Sequence, residues 1–326
     1  FFSSKLNHKS LEIIDPYSEH KTLFHIELYK TSDTSISIWI NFHQALIDGW
    51  SGVELRNQLV HTYRSKKNGM NIDNQESVDS YKEFIEHERL YIEDKKNHSF
   101  WLNEVLKVDF QDDLIRFEKK ILLSKDEPEV YKSKIIQLDS KIIKKVKDYS
   151  QNKGVQLKSI FLSIVSNALL ENMDLDGLVI GVVTNGRSQS LTIPLRSTGL
   201  FWNVIPVHLR KKDDLLIETV DSRLDDIREY ERYPLYLLEK NILKRELIMP
   251  LFNFVNFHNA DDEMNDMLTE GVVLSKYHFP ITIFLKMVDK GTNSRLLISL
   301  IYSDSILSEI NAERIEKDLI KRFHNI

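Results

Sequence analysis

The residues of this chain with the clearest chemical potential lie in one short segment, His43-Gln44-Ala45-Leu46-Ile47-Asp48-Gly49-Trp50-Ser51. A neutral imidazole such as that of His43 can accept a proton near pH 7, whereas the amide of Gln44 cannot. Asp48 adds a carboxylate, and an Asp-Gly pair is a common turn signal. Taken alone, the segment is typical of an ordinary turn, and it becomes a candidate site only if other motifs support it.

Two stretches that alternate apolar and polar residues come before the segment, and this period of two indicates β-strands. The predicted strands are residues 23–29 and 35–42, with a hairpin turn at 31–33. Apolar residues at helical spacing come after the segment, and Ser51 is the predicted N-cap of that helix. We therefore expect a strand, a sharp loop that carries the polar residues, and then a helix.

The rest of the chain mixes strands and helices without strict alternation, which predicts an α+β fold. Residues 109–128 are charged and irregular, and we interpret them as the boundary between two lobes. The predicted N-terminal lobe, with the His43 loop, is residues 1–125, and the predicted C-terminal lobe is residues 126–326. Strands are predicted at 130–138, 178–183, 201–209, 251–258, 281–286 and 295–302, and helices at 81–93, 100–106, 142–151, 157–170, 215–230 and 306–323.

Length and composition exclude several classes of protein. A chain of 326 residues exceeds what one hydrophobic core usually fills, which favours two lobes with a cleft. A net charge of −5 offers no broad basic field, so we expect no nucleic-acid partner. The absence of cysteine excludes disulfides and thiolate chemistry in this chain. The apolar runs are far shorter than the roughly 20 residues of a membrane span, so we expect a cytoplasmic protein without membrane contact.

The segment at His43 resembles the H-H-x-x-x-D-G motif of the condensation domains of nonribosomal peptide synthetases, which is usually followed by Trp-Ser. Only the second position differs, because Gln44 stands where the family has its second histidine. Other matches follow in the family's order and cover essentially the whole chain, which makes the resemblance specific. They are residues 179–187, similar to a strand that ends in Gly-Arg, residues 199–207, similar to G-x-F-x-N-x-x-P-x, and the landmarks Phe100-Trp101 with Leu106, 250–252 and 255–259.

The resemblance implies two chloramphenicol-acetyltransferase-like lobes, each a β-sheet flanked by helices, with a cleft or tunnel between them. The family's opening portion, with its first two motifs, is not in this sequence, so we expect the N-terminal lobe only in part. In the family, the second histidine lies beside an acceptor amine that attacks a donor thioester, and it acts as a base or as a positioning group. The amide of Gln44 can only position the amine, because it cannot take up a proton near pH 7. His43 is no easy substitute, because neighbouring residues on a strand point to opposite faces.

The resemblance also implies roles for individual residues and partners. The predicted catalytic loop contains His43, Gln44, Asp48 and Gly49. Asp48 is expected to be a structural anion that pairs with an arginine of the other lobe, and Arg187 is the best-matched partner. No directly bound cofactor is expected, because the phosphopantetheine arms of donor and acceptor carrier proteins would enter the tunnel, beside neighbouring synthetase domains. The predicted tunnel-lining or structural residues are Arg187, Asn203, Asn256, Trp50 and Ser51.

Plainer interpretations stay open for some of these residues. Phe201 and Trp202 would also suit a core strand with a bulge, and Arg187 would also suit a solvated surface charge. His208, His258 and His278 show no ligand spacing, so we expect packing or surface positions and no metal site.

Three functions stay open at this point. The first is a condensation enzyme, and the second is a catalytically silent condensation-like module that binds or gates carrier-bound chains, which Gln44 favours. The third is another acyltransferase of the same superfamily that uses a small alcohol or amine. We favour it least, because those enzymes also need a histidine at position 44.

Overall fold

The computed structural model describes residues 22–43, 45–70, 80–122, 130–187, 191–192, 196–211, 216–255, 279–288 and 294–326. Of these, the residues up to Ile85 and those of Arg187–Phe201 form a smaller compact unit. The remaining described residues form a larger unit, and the chain passes between the two units more than once. The predicted lobe boundary at 125/126 falls within 123–129, outside the described residues.

The smaller unit contains an antiparallel hairpin followed by a long helix. Its strands pair from Phe24 opposite Phe42 to Lys30 opposite Ile36, as their period-two alternation predicts. His43 follows the second strand directly. The elements are β1 (Phe24–Lys30), β2 (Ile36–Phe42), α1 (Gly49–Lys67) and the first part of α2 (Ser80–Glu93), in which the unit boundary falls.

The larger unit is built on a mixed six-stranded sheet in the order β3-β8-β7-β6-β4-β5. The β4–β6 and β6–β7 pairs are parallel and the other pairs are antiparallel. Strands and helices in this unit together with the hairpin unit confirm the predicted α+β class. The strands are β3 (Tyr131–Leu138), β4 (Gly177–Asn185), β5 (Trp202–Arg210), β6 (Leu251–Val255), β7 (Ile281–Val288) and β8 (Arg295–Ser303).

Helices cover this sheet and share one apolar core with it. The most apolar helix is α6 (Leu157–Asn172), whose side chains are buried over most of its length. A short helical turn, Leu235–Leu237, continues as a π-helix, Leu238–Leu243. The other helices of the unit are the last part of α2, α3 (Lys95–Val105), α4 (Val108–Leu122), α5 (Ser140–Lys153), α7 (Ile217–Arg228) and α8 (Glu309–His324).

The prediction that residues 109–128 are irregular is wrong over the part that the structure describes. Residues up to Leu122 form α4, and its apolar side chains Phe110, Leu114, Phe117 and Ile121 are buried in the core of the larger unit. These residues are spaced four, three and four apart, which places them on one helical face. The many charges on the opposite face concealed this pattern.

Candidate functional site

Asp48 begins α1, and its side chain is the N-cap of that helix. Its Oδ1 atom accepts a hydrogen bond of 2.7 Å from the backbone amide of Ser51. A carboxylate at this place satisfies one of the unpaired amides of the first turn and lies at the positive end of the helix dipole. The prediction that Ser51 is the N-cap is therefore wrong by three residues, because the Ser51 hydroxyl has other partners.

Arg187 forms a buried ion pair with Asp48, which confirms the predicted pair. The Nη2 atom of Arg187 lies 2.9 Å from Asp48 Oδ1 and 3.1 Å from Oδ2. The side chain of Arg187 is 0% exposed and that of Asp48 is 7% exposed. Burial lowers the pKa of Arg187, and Asp48 raises it again. The resemblance implied an arginine from the other lobe, but both residues belong to the smaller compact unit.

Ser51 and Gly199 complete this arrangement, and we call Asp48, Ser51, Arg187 and Gly199 the Asp48 network. The Ser51 hydroxyl accepts from Arg187 Nη2 at 2.7 Å and from the Gly199 amide at 3.0 Å. The same hydroxyl lies within donating distance of Asp48 Oδ1 and of the Gly199 carbonyl. A Cβ atom at residue 199 would lie 2.3 Å from the Tyr81 ring, so this position needs glycine.

Phe201 and Ser197 hold the guanidinium of Arg187 from its other sides. Arg187 Nη1 donates to the Ser197 carbonyl at 2.8 Å, and Arg187 Cζ lies 4.0 Å from the centre of the Phe201 ring. The Phe201 ring packs in turn on Phe84 at 5.0 Å between centroids. With both oxygens engaged by these donors, Asp48 is suited to hold the loop in place.

His43 is held locally in a way that limits its chemistry. Its Nδ1 atom accepts a 3.0 Å hydrogen bond from the Ala45 amide, and its own amide donates to the Leu23 carbonyl. Because a backbone amide can only donate, the neutral ring must carry its proton on Nε2. In this arrangement the Ala45 amide occupies the Nδ1 lone pair, and Nε2 of the neutral ring is a donor. Gln44 lies outside the described residues, so the predictions about its side chain stay predictions.

Asn203 has a structural environment in the larger unit. Its Nδ2 atom donates to the carbonyls of Glu231 and Tyr233 at 2.9 and 2.8 Å, and its Oδ1 atom accepts from the Leu235 amide at 3.2 Å. Both amide hydrogens are thus used to hold the chain that follows α7. Among the other predicted residues, Gly49 is exposed at the start of α1 and Trp50 is half-buried, while Asn256 lies outside the described residues.

Sequence reasoning missed two neighbouring charged residues of the larger unit, Lys158 and Glu231, which interact electrostatically without forming an ion pair. Lys158 is half-buried in the first turn of the apolar helix α6. Burial lowers its pKa to about 8, and Glu231 partly opposes this shift. Burial likewise raises the pKa of Glu231. The available signal was a lysine at the second position of a largely apolar helix.

The described part of the chain has neither a metal-binding cluster nor a membrane-spanning helix. No cluster of three or more His, Cys, Asp or Glu side chains is arranged to hold a metal ion there. Within the same residues, no helix combines the length and apolar character that crossing a membrane requires.

The α+β units and the strand–loop–helix held by a buried Asp–Arg pair are consistent with the chloramphenicol-acetyltransferase-like fold. The sequence places the protein further: the chain belongs to the Condensation domain family, whose model matches residues 13–326.

Curated relatives of the chain are large synthetases. Bacitracin synthase 3 of Bacillus licheniformis is 24% identical over 315 residues, which cover 92% of this chain and 5% of that protein. Gramicidin S synthase 2 of Aneurinibacillus migulanus is 23% identical over 308 residues, which cover 92% of this chain and 7% of that protein. The chain therefore spans only a small part of these relatives.

Solved structures share the fold at low sequence identity. VibH, a condensation enzyme, gives a TM-score of 0.66 at 12% identity, covering 94% of this chain and 71% of that one. The X-domain from teicoplanin biosynthesis gives a TM-score of 0.68 at 12% identity, with coverage of 94% and 72%. These likenesses establish the architecture.

Proposed function

We propose that this chain forms an amide bond between acyl or aminoacyl groups that two carrier proteins hold as phosphopantetheine thioesters. The observation that carries the proposal is the ordered set of condensation motifs within a family match over residues 13–326. The names of the relatives, bacitracin synthase and gramicidin S synthase, support a place in nonribosomal peptide synthesis. Neighbouring synthetase domains and the two carrier proteins are the proposed partners.

The proposed reaction needs an acceptor amine to attack the carbonyl carbon of the donor thioester. A C–N bond forms, the C–S bond breaks, and the donor thiol leaves while the amine loses a proton. The amide of Gln44 can accept a hydrogen bond from the amine and orient it, but it cannot take the proton. If the family's histidine acts as a general base, Gln44 costs about 10²–10⁴-fold in rate, and if it only positions the amine, much of the rate survives.

The contribution of the Asp48 network is to hold the loop that carries residue 44. Asp48 lies four residues after Gln44, and its buried contacts anchor both the end of the loop and the first turn of α1. Positioning groups need such support, because small displacements of a reacting pair reduce the rate steeply.

A second candidate function is a silent condensation-like module that binds or gates carrier-bound chains. Gln44 is the observation that favours it, because the one family position expected to supply a base holds an amide. The solved complex of an X-domain with OxyB from teicoplanin biosynthesis supports this candidate, since that domain shares the fold at a TM-score of 0.67 and 11% identity.

One assay separates the two candidates. Carrier proteins loaded with donor and acceptor groups are incubated with the parent protein, with Gln44→His and with the control Gln58→His, and the condensed thioester is detected by mass. Gln58 is exposed on α1, and among the described residues its side chain bonds to Glu54, so a histidine there should change nothing. We expect a rate increase of at least tenfold, about 1.4 kcal/mol, for Gln44→His alone. If neither the parent nor Gln44→His gives condensed product with any loaded pair, the binding module is favoured.

A further inference from the structure

The strands β4 and β6 separate at their carboxyl ends. They pair only at Gly181 and Val182, opposite Leu251 and Phe252. Beyond this point β4 continues with β5 to Asn185, while β6 continues with β7 to Val255. The carboxyl ends of parallel strands, where neighbouring strands stop pairing, are common ligand sites in sheets.

Beyond Val182, β4 does not pair with β6, and the side chain of Lys158 bonds to the backbone of β4 instead. The Gly181 amide points toward β6, where it donates to the Pro250 carbonyl. Backbone groups two residues apart on a strand point to the same side, so the Val183 carbonyl also points toward β6. Lys158 Nζ donates to the Val183 carbonyl at 2.9 Å. An ammonium group has three hydrogens to donate, and among the described residues this carbonyl is the single acceptor of Lys158.

The charged groups that act on Lys158 come from α7 and from the chain that follows it. Glu231 is its nearest carboxylate by electrostatic effect, yet no described carboxylate lies within ion-pair distance of Nζ. Arg228 also lies close enough to lower the pKa of Lys158, although Arg228 is itself paired with Asp225 on the exposed side of α7. The backbone of Glu231 is held firmly by the side chain of Asn203.

The start of α6 offers no separate anion site. Asp221 of α7 already accepts from the Gln156 amide at 3.0 Å and from the Ser159 hydroxyl at 2.5 Å. The Gln156 amide and the Ser159 hydroxyl are therefore already used, whereas the Lys158 ammonium retains hydrogens to donate.

We propose that Lys158 binds an anionic oxygen group of the tethered substrate beside the carboxyl ends of β4 and β6. The inference rests on the proposed function, because it assumes a chain carried on phosphopantetheine. The anionic group has two sources, a carboxylate on the tethered acyl chain or the phosphate of the arm. In either case the ammonium keeps its bond to Val183 and donates a further hydrogen to the ligand.

Calorimetric titration with soluble probes tests the proposal and distinguishes the sources. Succinyl-pantetheine is compared with its neutral amide counterpart for the carboxylate, and acetyl-phosphopantetheine with acetyl-pantetheine for the phosphate. We expect one anionic probe to bind at least tenfold more tightly than its neutral partner. Equal binding within both pairs overturns the proposal.

Two variants separate ligand binding from a purely structural role. Lys158→Gln keeps a donor for the Val183 carbonyl and removes the charge, so it should fold and lose the tenfold preference. Lys145→Gln is the matched control, because Lys145 also donates to a backbone carbonyl, that of His324, from an exposed position on α5. A preference that persists in Lys158→Gln contradicts the proposal. If the preference depends on Lys158 but the loaded-carrier assay gives no condensed product, the anion site is supported and the condensation function is contradicted.

Discussion

Asp48 shows how one side chain can serve two elements. Its carboxylate caps α1 through the Ser51 amide and neutralises the guanidinium of Arg187, which is far away in the sequence. Neither role requires Asp48 to exchange a proton. The role of Asp48 in the structure is therefore to fix the loop on which Gln44 lies, four residues earlier.

We expect Asp48→Asn to destabilise the protein by about 3–5 kcal/mol, because it leaves the buried charge of Arg187 without its counter-ion. Chemical denaturation measures the change in the free energy of unfolding. Adding Arg187→Met should recover part of the loss, since both charges are then absent. The control is Asp33→Asn, which removes the exposed Lys30–Asp33 pair and should leave stability unchanged. Unchanged stability of Asp48→Asn with loss of turnover would instead make Asp48 catalytic.

The pH dependence of turnover should report the chemistry of residue 44. An amide has no titratable proton near neutrality, so we expect the parent rate to be nearly flat from about pH 6 to about pH 7, once protonation of the amine is controlled. Gln44→His should introduce an inflection in this range. Single-turnover rates across the range provide the measurement. An inflection in the parent protein would mean that another group supplies the base.

At the scale of single elements, α4 is the informative case. It has seven charged residues in its fifteen positions, yet it buries a full apolar face in the core of the larger unit. The core of that unit thus includes a helix that lies N-terminal to the predicted lobe boundary at 125/126.

Adjacent residues on α4 test this arrangement. Leu114 is 0% exposed and Ile115 is 38% exposed. Leu114→Ala should cost about 2–5 kcal/mol, through lost burial and the cavity left behind. Ile115→Ala should have a much smaller effect, because its side chain already contacts water. Urea denaturation of both variants gives the comparison, and equal losses would show that α4 does not pack as described.

At the scale of the whole molecule, Lys158 should make stability depend on alkaline pH. Its folded pKa of about 8 lies below its unfolded value, so the unfolded state binds more protons above pH 8. Stability should therefore rise as the pH rises from about 8 toward the unfolded pKa of about 10.4.

The difference between the parent and Lys158→Gln isolates this effect from other titrating groups. Between about pH 7 and about pH 9.5, the parent should gain about 2 kcal/mol relative to the variant. Urea denaturation at several pH values measures this gain. A constant difference across the range would show that Lys158 does not have the depressed pKa.

The sequence by itself determined the features that depend on local repetition or on ordered motifs. Period-two alternation predicted β1 and β2, and the ordered motifs predicted the Asp48–Arg187 pair, since the residue types of a motif are visible without their contacts. The general α+β class followed from the same patterns. About Gln44 the sequence alone identified the substitution and the chemistry that it removes.

Only the tertiary structure decided the features that depend on distant contacts. Ser51 is not the N-cap, because its hydroxyl bonds to Gly199, 148 residues away. Lys158 is half-buried because two strands from different parts of the chain separate and leave the Val183 carbonyl without a strand neighbour. Burial and partner choice of this kind are set by long-range packing, and no local spacing of residues encodes them.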